Sequence, residues 1–158
     1  MEAKLRAENP NIFLLVKRNN SSNLVVYEGL KASNGKLDHG SPCEAYWMDI
    51  KSGQVKYTRS ELSFLERSLA YGFSSTPHPT HSGAFVLKLK ALPKRPVVMA
   101  MGDNGRVSCW ASIGGRKALV QEVYVEIVER LFSLPQVKYM QLTGVDGNGN
   151  VVNEKIVP

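Results

Sequence analysis

The chain has little of what usually marks chemistry. Among its 158 residues there are 2 cysteines and 3 histidines. Two cysteines, Cys43 and Cys109, are too few to define a disulfide framework. Cys109 falls inside an alternating apolar run, where a thiol acts as a small hydrophobe, while Cys43 follows Pro42 at the start of a strand pattern. Whether they pair stays open at this level. No apolar run reaches the roughly eighteen residues of a membrane span, so a transmembrane helix is excluded. Met1 to Pro10 is charged, and Ile12 to Val16 is too short and strand-like for a signal-peptide core, so an intracellular, cytoplasmic protein is expected. There is no Gly-x-Ser-x-Gly elbow, no Walker loop and no Gly-x-Gly-x-x-Gly fingerprint, which removes the common devices of hydrolases and nucleotide binders. No internal repeat has the period of a solenoid or propeller.

What is present is an ordinary globular composition, 43% apolar and 22% charged, with a formal net charge of +6. The length suits one domain with a proper core, read here as a lead-in over 1–10 and a single β-rich domain over 11–158. The basic residues come in scattered pairs, such as Lys17/Arg18, Lys88/Lys90 and Arg116/Lys117. No block of about five like charges appears, so the charge reads either as a solvated face or as a moderate bias towards anionic partners. Without a basic stripe or a recognised motif, nucleic acid is not expected as a partner.

The strongest local signal is a beat of turns: Asn34-Gly35, Ser52-Gly53, Asp103-Asn104-Gly105, Gly114-Gly115 and Asp146-Gly147-Asn148-Gly149. Ile12 to Lys17 is apolar on both faces and reads as a doubly covered strand, with Leu24 to Glu28 returning beside it. Strands are also expected over Glu44 to Ile50, Val55 to Tyr57, Phe85 to Lys90, Val97 to Met101 and Arg106 to Ile113, with a terminal hairpin of Val137 to Thr143 and Asn150 to Ile156. Residues 117–131 are ambiguous. Leu119, Val123, Ile127 and Leu131 have helical spacing, yet Val123, Val125 and Ile127 alternate, and the β-branched density favours a strand. Ser74 to Gly83 reads as a loop long enough to serve as a flap.

One helix is expected near 60–71. Thr58 and Glu61 match a capping box, Leu62, Leu65 and Leu69 form an apolar stripe, and Gly72 suits a left-handed cap. The predicted fold is therefore mainly β: an antiparallel barrel-like body or tightly folded sandwich of about eight to ten strands carrying one helix.

Candidate sites are sparse. His78 and His81 fall short of the three or four ligands of a zinc site, with His39 and Cys43 the only other soft donors considered. Asp146, Asn148 and Asn150 imitate the start of a calcium loop that then fails at Val151 and Val157. No metal and no cofactor is expected. Aromatic residues with basic neighbours are the better lead. Trp47, Tyr57, Tyr71 and Trp110 stand near Arg59, Arg67 and Arg106 in sequence, Arg67 and Tyr71 fall at i and i+4 on the expected helix, and Lys88 and Lys90 share one face of a strand. Arg106, Trp110 and Ser112 share a face opposite Val107, Cys109 and Ala111, which would suit a pocket with an anion-binding end. The plainer reading of Trp110 is packing under the scaffold.

Phe13 to Tyr27, the Tyr46-Trp47 pair, Ser68 to Gly72, and Leu142 to Gly144 with Glu154 to Ile156 resemble a family catalogued only as a domain of unknown function. That family occurs in bacterial envelope proteins and in single-celled eukaryotes. The resemblance implies no activity, and the exported character of bacterial members is not carried over to this chain. The leading functional expectation is a non-catalytic binding domain for a small or lipid-like anionic ligand, such as a lipid headgroup, or for an acidic protein surface. A scaffolding module without ligand and a hydrolase-like enzyme built on His78 or His81 are the alternatives.

Overall fold

The doubly apolar run Ile12 to Val16 is buried on both of its sides, and the rest of the architecture follows from that. The structure, a computed structural model, describes residues 2–50 and 57–158. The expected turn at Ser52-Gly53 and the residues Val55-Lys56 lie outside the described residues. The first strands are β1 (Ile12–Arg18), β2 (Ser21–Gly29), β3 (Cys43–Ile50) and β4 (Tyr57–Ser60). They are followed by β5 (Phe73–Pro77), β6 (Phe85–Leu89), β7 (Val97–Met101), β8 (Val107–Ile113), β9 (Arg116–Val128), β10 (Gln136–Asp146) and β11 (Val151–Ile156). All belong to one 11-stranded sheet.

Nine strands lie on a curled half-barrel path in the order β4-β3-β2-β1-β9-β8-β7-β6-β5, and β10 and β11 attach to it through β9. The mainly β, barrel-like expectation holds. Residues 117–131 resolve as strand β9. The pairing is antiparallel except for one contact that the turn signals did not reveal: β1 runs parallel to β9, with Leu15 beside Glu122 and Arg18 beside Val125.

β9 is the hinge of the sheet. One edge pairs with β10 along its length; the other pairs first with β8, at Arg116 to Leu119, and then with β1, at Glu122 to Val125. β1 and β8 therefore splay apart as a fork, and each leads a wing. The wings enclose the main core, which includes Phe13, Tyr27, Leu87, Met99, Cys109, Ile113 and Leu142. A second cluster of Leu5, Ile12, Leu15, Leu24, Val26 and Tyr46 covers the outer face of the first wing. Its lid is α1 (Glu2–Glu8), whose Leu5 is buried. The charged lead-in is thus a docked helix, because β1 has an outer apolar face that needs cover. Burying a leucine in this way contributes about 1.5–3 kcal/mol.

The fork leaves backbone groups of β9 without a strand partner. The Arg6 guanidinium donates to the Gln121 carbonyl, and the Val107 amide donates to the Pro10 carbonyl at 2.9 Å. The Cys109 thiol, fully buried, faces the Phe13 carbonyl at 3.6 Å. Gln121 is also the extra residue of a bulge, since Thr143 pairs with Glu122 while Gly144 pairs with Val120. Opposite that bulge the backbone approaches Gly144 so closely that a Cβ would lie 2.3 Å from the Leu119 carbonyl oxygen. Only glycine fits there without a backbone shift.

The helix near 60–71 needs the largest correction. Thr58 sits in β4, paired with Asp49, so the Thr58/Glu61 box does not form. The box that forms is Ser63/Glu66, opening a short α turn, α2 (Phe64–Glu66), that continues as a π turn over Arg67–Tyr71. Leu62 is buried ahead of it, whereas Phe64 and Leu65 are exposed, so the expected stripe is not one buried face. Gly72 is extended (φ −66°, ψ 161°) instead of left-handed. Its requirement is steric: a Cβ there would meet the Arg67 carbonyl oxygen at 2.0 Å. The expected flap over Ser74 to Gly83 is also shortened, because its first half is β5, paired with β6 from Phe73–Leu89 to Pro77–Phe85.

Candidate functional site at the seam of the sheet

The two ends of the curled path, β4 and β5, are consecutive in sequence. The segment between them, residues 61–72, crosses from one wing to the other. β4 covers only the second half of β3, Trp47 to Ile50, so the Cys43 to Ala45 edge is left uncovered. Between that edge, the helical segment and the start of β5 lies a pocket of about 650 Å³. Arg59, Arg67 and Lys90 line it with Phe64, Tyr71 and Phe73.

The helical segment is held in place by its aromatic anchor. Tyr71 is buried, its ring meets Trp47 edge-on at 5.6 Å, and its carbonyl accepts the Tyr27 hydroxyl at 2.8 Å. The Trp47 indole N–H donates to Glu66 Oε2 at 2.8 Å, while Glu66 Oε1 accepts the Ser63 amide at 2.9 Å. One carboxylate thus caps the turn and ties it to β3. The Arg18 guanidinium lies 4.5 Å from the Trp47 ring centroid, a cation–π contact. Burial raises the Tyr71 phenol above its ordinary pKa, with the Arg18 charge opposing that shift. The phenol is therefore neutral at physiological pH.

The charges of the pocket are pre-arranged. Glu44 holds Arg59 at 2.9 Å, and the guanidinium lies 4.0 Å from the centroid of the Tyr46 ring. The Glu44 hydrogen bond raises the Arg59 pKa, keeping the guanidinium charged. Glu61 holds Arg67 at 2.8 Å. No described acidic side chain pairs with Lys90. Three cations against two carboxylates, Glu44 and Glu61, leave the pocket with a charge of +1. Cys43 also lines it, but burial, with Cys109 and Glu44 adding to it, pushes its thiol up to about 12. A thiol that weakly acidic is not a nucleophile at neutral pH.

The structure divides the eight residues singled out from sequence among different places. Arg59, Arg67, Tyr71 and Lys90 meet at the seam, with Trp47 directly behind Tyr71. Lys88 is exposed on β6 beside Ser74, outside the seam lining. Arg106 and Trp110 do not share a pocket. Arg106 belongs to a cleft of about 310 Å³ at the fork, where it donates to the Arg6 carbonyl at 3.0 Å. Trp110 lines a groove of about 480 Å³ with His78, His81, Ser112 and Lys117. Glu44, Glu61, Glu66 and Arg18 were missed by sequence reasoning. Glu61 entered only as a helix-cap residue with Thr58, and the Ser63-x-x-Glu66 spacing could have signalled Glu66.

The remaining candidates have structural partners. His78 and His81 stack at 4.7 Å between ring centroids, and His39 meets Phe85 at 5.9 Å. Among the described residues no three His, Cys, Asp or Glu side chains gather as a metal site. Asp146 accepts the amides of Asn148 and Asn150, both at 2.9 Å, and the Arg116 guanidinium at 3.1 Å. Those bonds, the Asn150 amide foremost, lower its pKa and fix a hairpin turn. Both cysteines are free and buried.

Residues 13–155 match the family described as Domain of unknown function (DUF4833), and the chain belongs to it. No curated protein and no solved structure matches the chain. No helix among the described residues is long and apolar enough to cross a membrane.

Proposed function

We propose that this DUF4833 member is a non-catalytic binding domain that takes a small, singly charged anion with an apolar body into the seam pocket. The observation that carries this reading is the pairing pattern there. Glu44 and Glu61 orient two guanidiniums, and Lys90 is left to supply the excess positive charge. The anionic head would sit against Lys90 and Arg67, and the apolar body against Phe64, Tyr71 and Phe73. The volume of about 650 Å³ lies within the range of small-molecule sites. The buried, weakly acidic thiol of Cys43 supports binding over covalent chemistry. Two buried free thiols also support a reducing, intracellular setting.

Dodecanoate, a single carboxylate on an alkyl chain, is the probe we choose. In isothermal titration calorimetry below its micellar range, wild-type protein binds it, and the affinity falls as salt screens the pocket. Lys90→Ala weakens binding roughly tenfold and flattens the salt dependence, whereas Lys88→Ala changes neither. Equal affinity at low salt and at about 0.5 M salt contradicts the electrostatic mode. A protein that takes up no dodecanoate, and shows no retained small molecule by native mass spectrometry, supports a scaffolding module instead.

A further inference from the structure

We propose that the tip of the β9–β10 hairpin is a wedge that inserts into the surface of an anionic lipid bilayer. The last rung of that hairpin pairs Val128 with Gln136, and residues 129–135 form the tip beyond it. Three apolar side chains stand there in solvent: Leu131 at 89% exposure, Phe132 at 104% and Leu134 at 60%. Phe132 also has φ 64°, and it is the sole described non-glycine residue with positive φ. A bulky residue pays strain in that region. Here the fold gains no burial in return, so neither packing nor backbone preference accounts for a phenylalanine at this position. A partner outside the domain would.

The surroundings select a bilayer. At the base of the tip the exposed Glu129 accepts the Asn20 side-chain amide at 2.7 Å. From Arg130 to Lys138 there is no further acidic residue, and the two exposed cations bracket the apolar apex. That order, cation–apolar–cation, matches phosphate headgroups above acyl chains. A second copy of the chain is a poor match, because three side chains at a tip cover far less than the roughly 800 Å² per partner of a stable interface. A bilayer needs no complementary groove, only a protruding apolar point. No helix among the described residues crosses a membrane, so the contact is peripheral.

The test is co-sedimentation of the full chain with vesicles of phosphatidylcholine alone and with about one-quarter phosphatidylglycerol. Wild-type protein is expected to pellet with the anionic vesicles and much less with the neutral ones. Phe132→Gly removes both the wedge and the strain, so binding falls at least roughly tenfold while the thermal midpoint stays level or rises. Arg130→Gln with Lys138→Gln reduces binding to anionic vesicles and leaves the weak neutral binding unchanged. Lys90→Ala, at the seam, pellets as wild type, so this proposal and the seam reading fail separately. The proposal is overturned if wild-type protein does not pellet with either vesicle, or if Phe132→Gly pellets like wild type. A concentration-dependent dimer in sedimentation velocity that Phe132→Gly abolishes assigns the tip to a second copy and overturns it equally.

Discussion

The curled sheet is interrupted in two places, at the fork where β1 and β8 part along β9 and at the seam between β4 and β5, and the two are treated in opposite ways. At the fork the exposed backbone is taken up. Arg6 reaches the Gln121 carbonyl, Val107 bonds Pro10, Cys109 faces the Phe13 carbonyl, and Leu5 caps the outer face. At the seam the gap is bridged by one short helical segment, and its lining keeps three cations and an exposed phenylalanine. An interruption whose backbone groups are taken up serves stability, even with a cleft of about 310 Å³ beside it, because unpaired buried backbone is costly. An interruption held open by fixed charges has a different use. Changes at the fork should therefore alter stability, and changes at the seam should alter binding.

The sharpest way to break this contrast is Gly144→Ala. Its Cβ would overlap the Leu119 carbonyl, so the bulge at the fork must shift. We expect a loss of about 2–4 kcal/mol in denaturant unfolding. A loss below about 0.5 kcal/mol would mean the fork tolerates movement. Leu5→Ala comes next, with an expected loss of about 2 kcal/mol as the lid over β1 loosens. Lys90→Ala sits on the other side of the contrast. It should leave stability within about 0.5 kcal/mol while weakening dodecanoate; destabilisation without a binding change would reverse the assignment.

A smaller effect concerns pH. Glu154 in β11 accepts both ends of the Arg95 guanidinium at 2.6 and 2.7 Å and the Gly114 amide at 2.6 Å. The Arg95 bond first, then the amide, lowers its pKa from 4.5 to about 2. A depressed carboxylate stabilises the fold above its unfolded pKa, and that stabilisation is lost as pH falls from 4.5 through about 2. Glu154→Gln should reduce the acid loss in that window and leave the seam's affinity at neutral pH unchanged. An identical acid profile for the variant would show that the pair contributes nothing to folding.

How much of this was legible depended on whether the signal was local. The faces of β1 and β8 were readable because alternation is a property of one strand: Val107, Cys109 and Ala111 point inward and Trp110 does not. β9 looked ambiguous because its sequence carries two spacings. Leu119, Val123, Ile127 and Leu131 have helical spacing by coincidence of sequence: the strand buries Val123, leaves Leu119 and Ile127 half-buried and puts Leu131 in solvent beyond its last rung, while the bulge at Gln121 shifts the buried set from Ala118/Val120 to Val123/Val125. The start of the helix was misread because two capping-box spacings follow one another, at 58–61 and 63–66, and strand pairing of Thr58 with Asp49 removed the first. Two of the segments that carry the family resemblance, Ser68 to Gly72 and Leu142 to Gly144, contain the two closest backbone approaches, at Gly72 and Gly144. Arg59, Arg67, Tyr71 and Lys90 could be named from sequence, but not as one site, because the curl that joins them is a long-range event. Arg106 and Trp110 were joined wrongly for the same reason: sharing a strand face says nothing of what lies across it.

The most direct test of the contrast is a calorimetric titration of dodecanoate into wild-type and Lys90→Ala protein, repeated at low salt and at about 0.5 M. The seam account predicts binding to the wild type that salt weakens, and a variant with roughly tenfold lower affinity and little salt response. Equal affinities for the two proteins at both salt concentrations would contradict it.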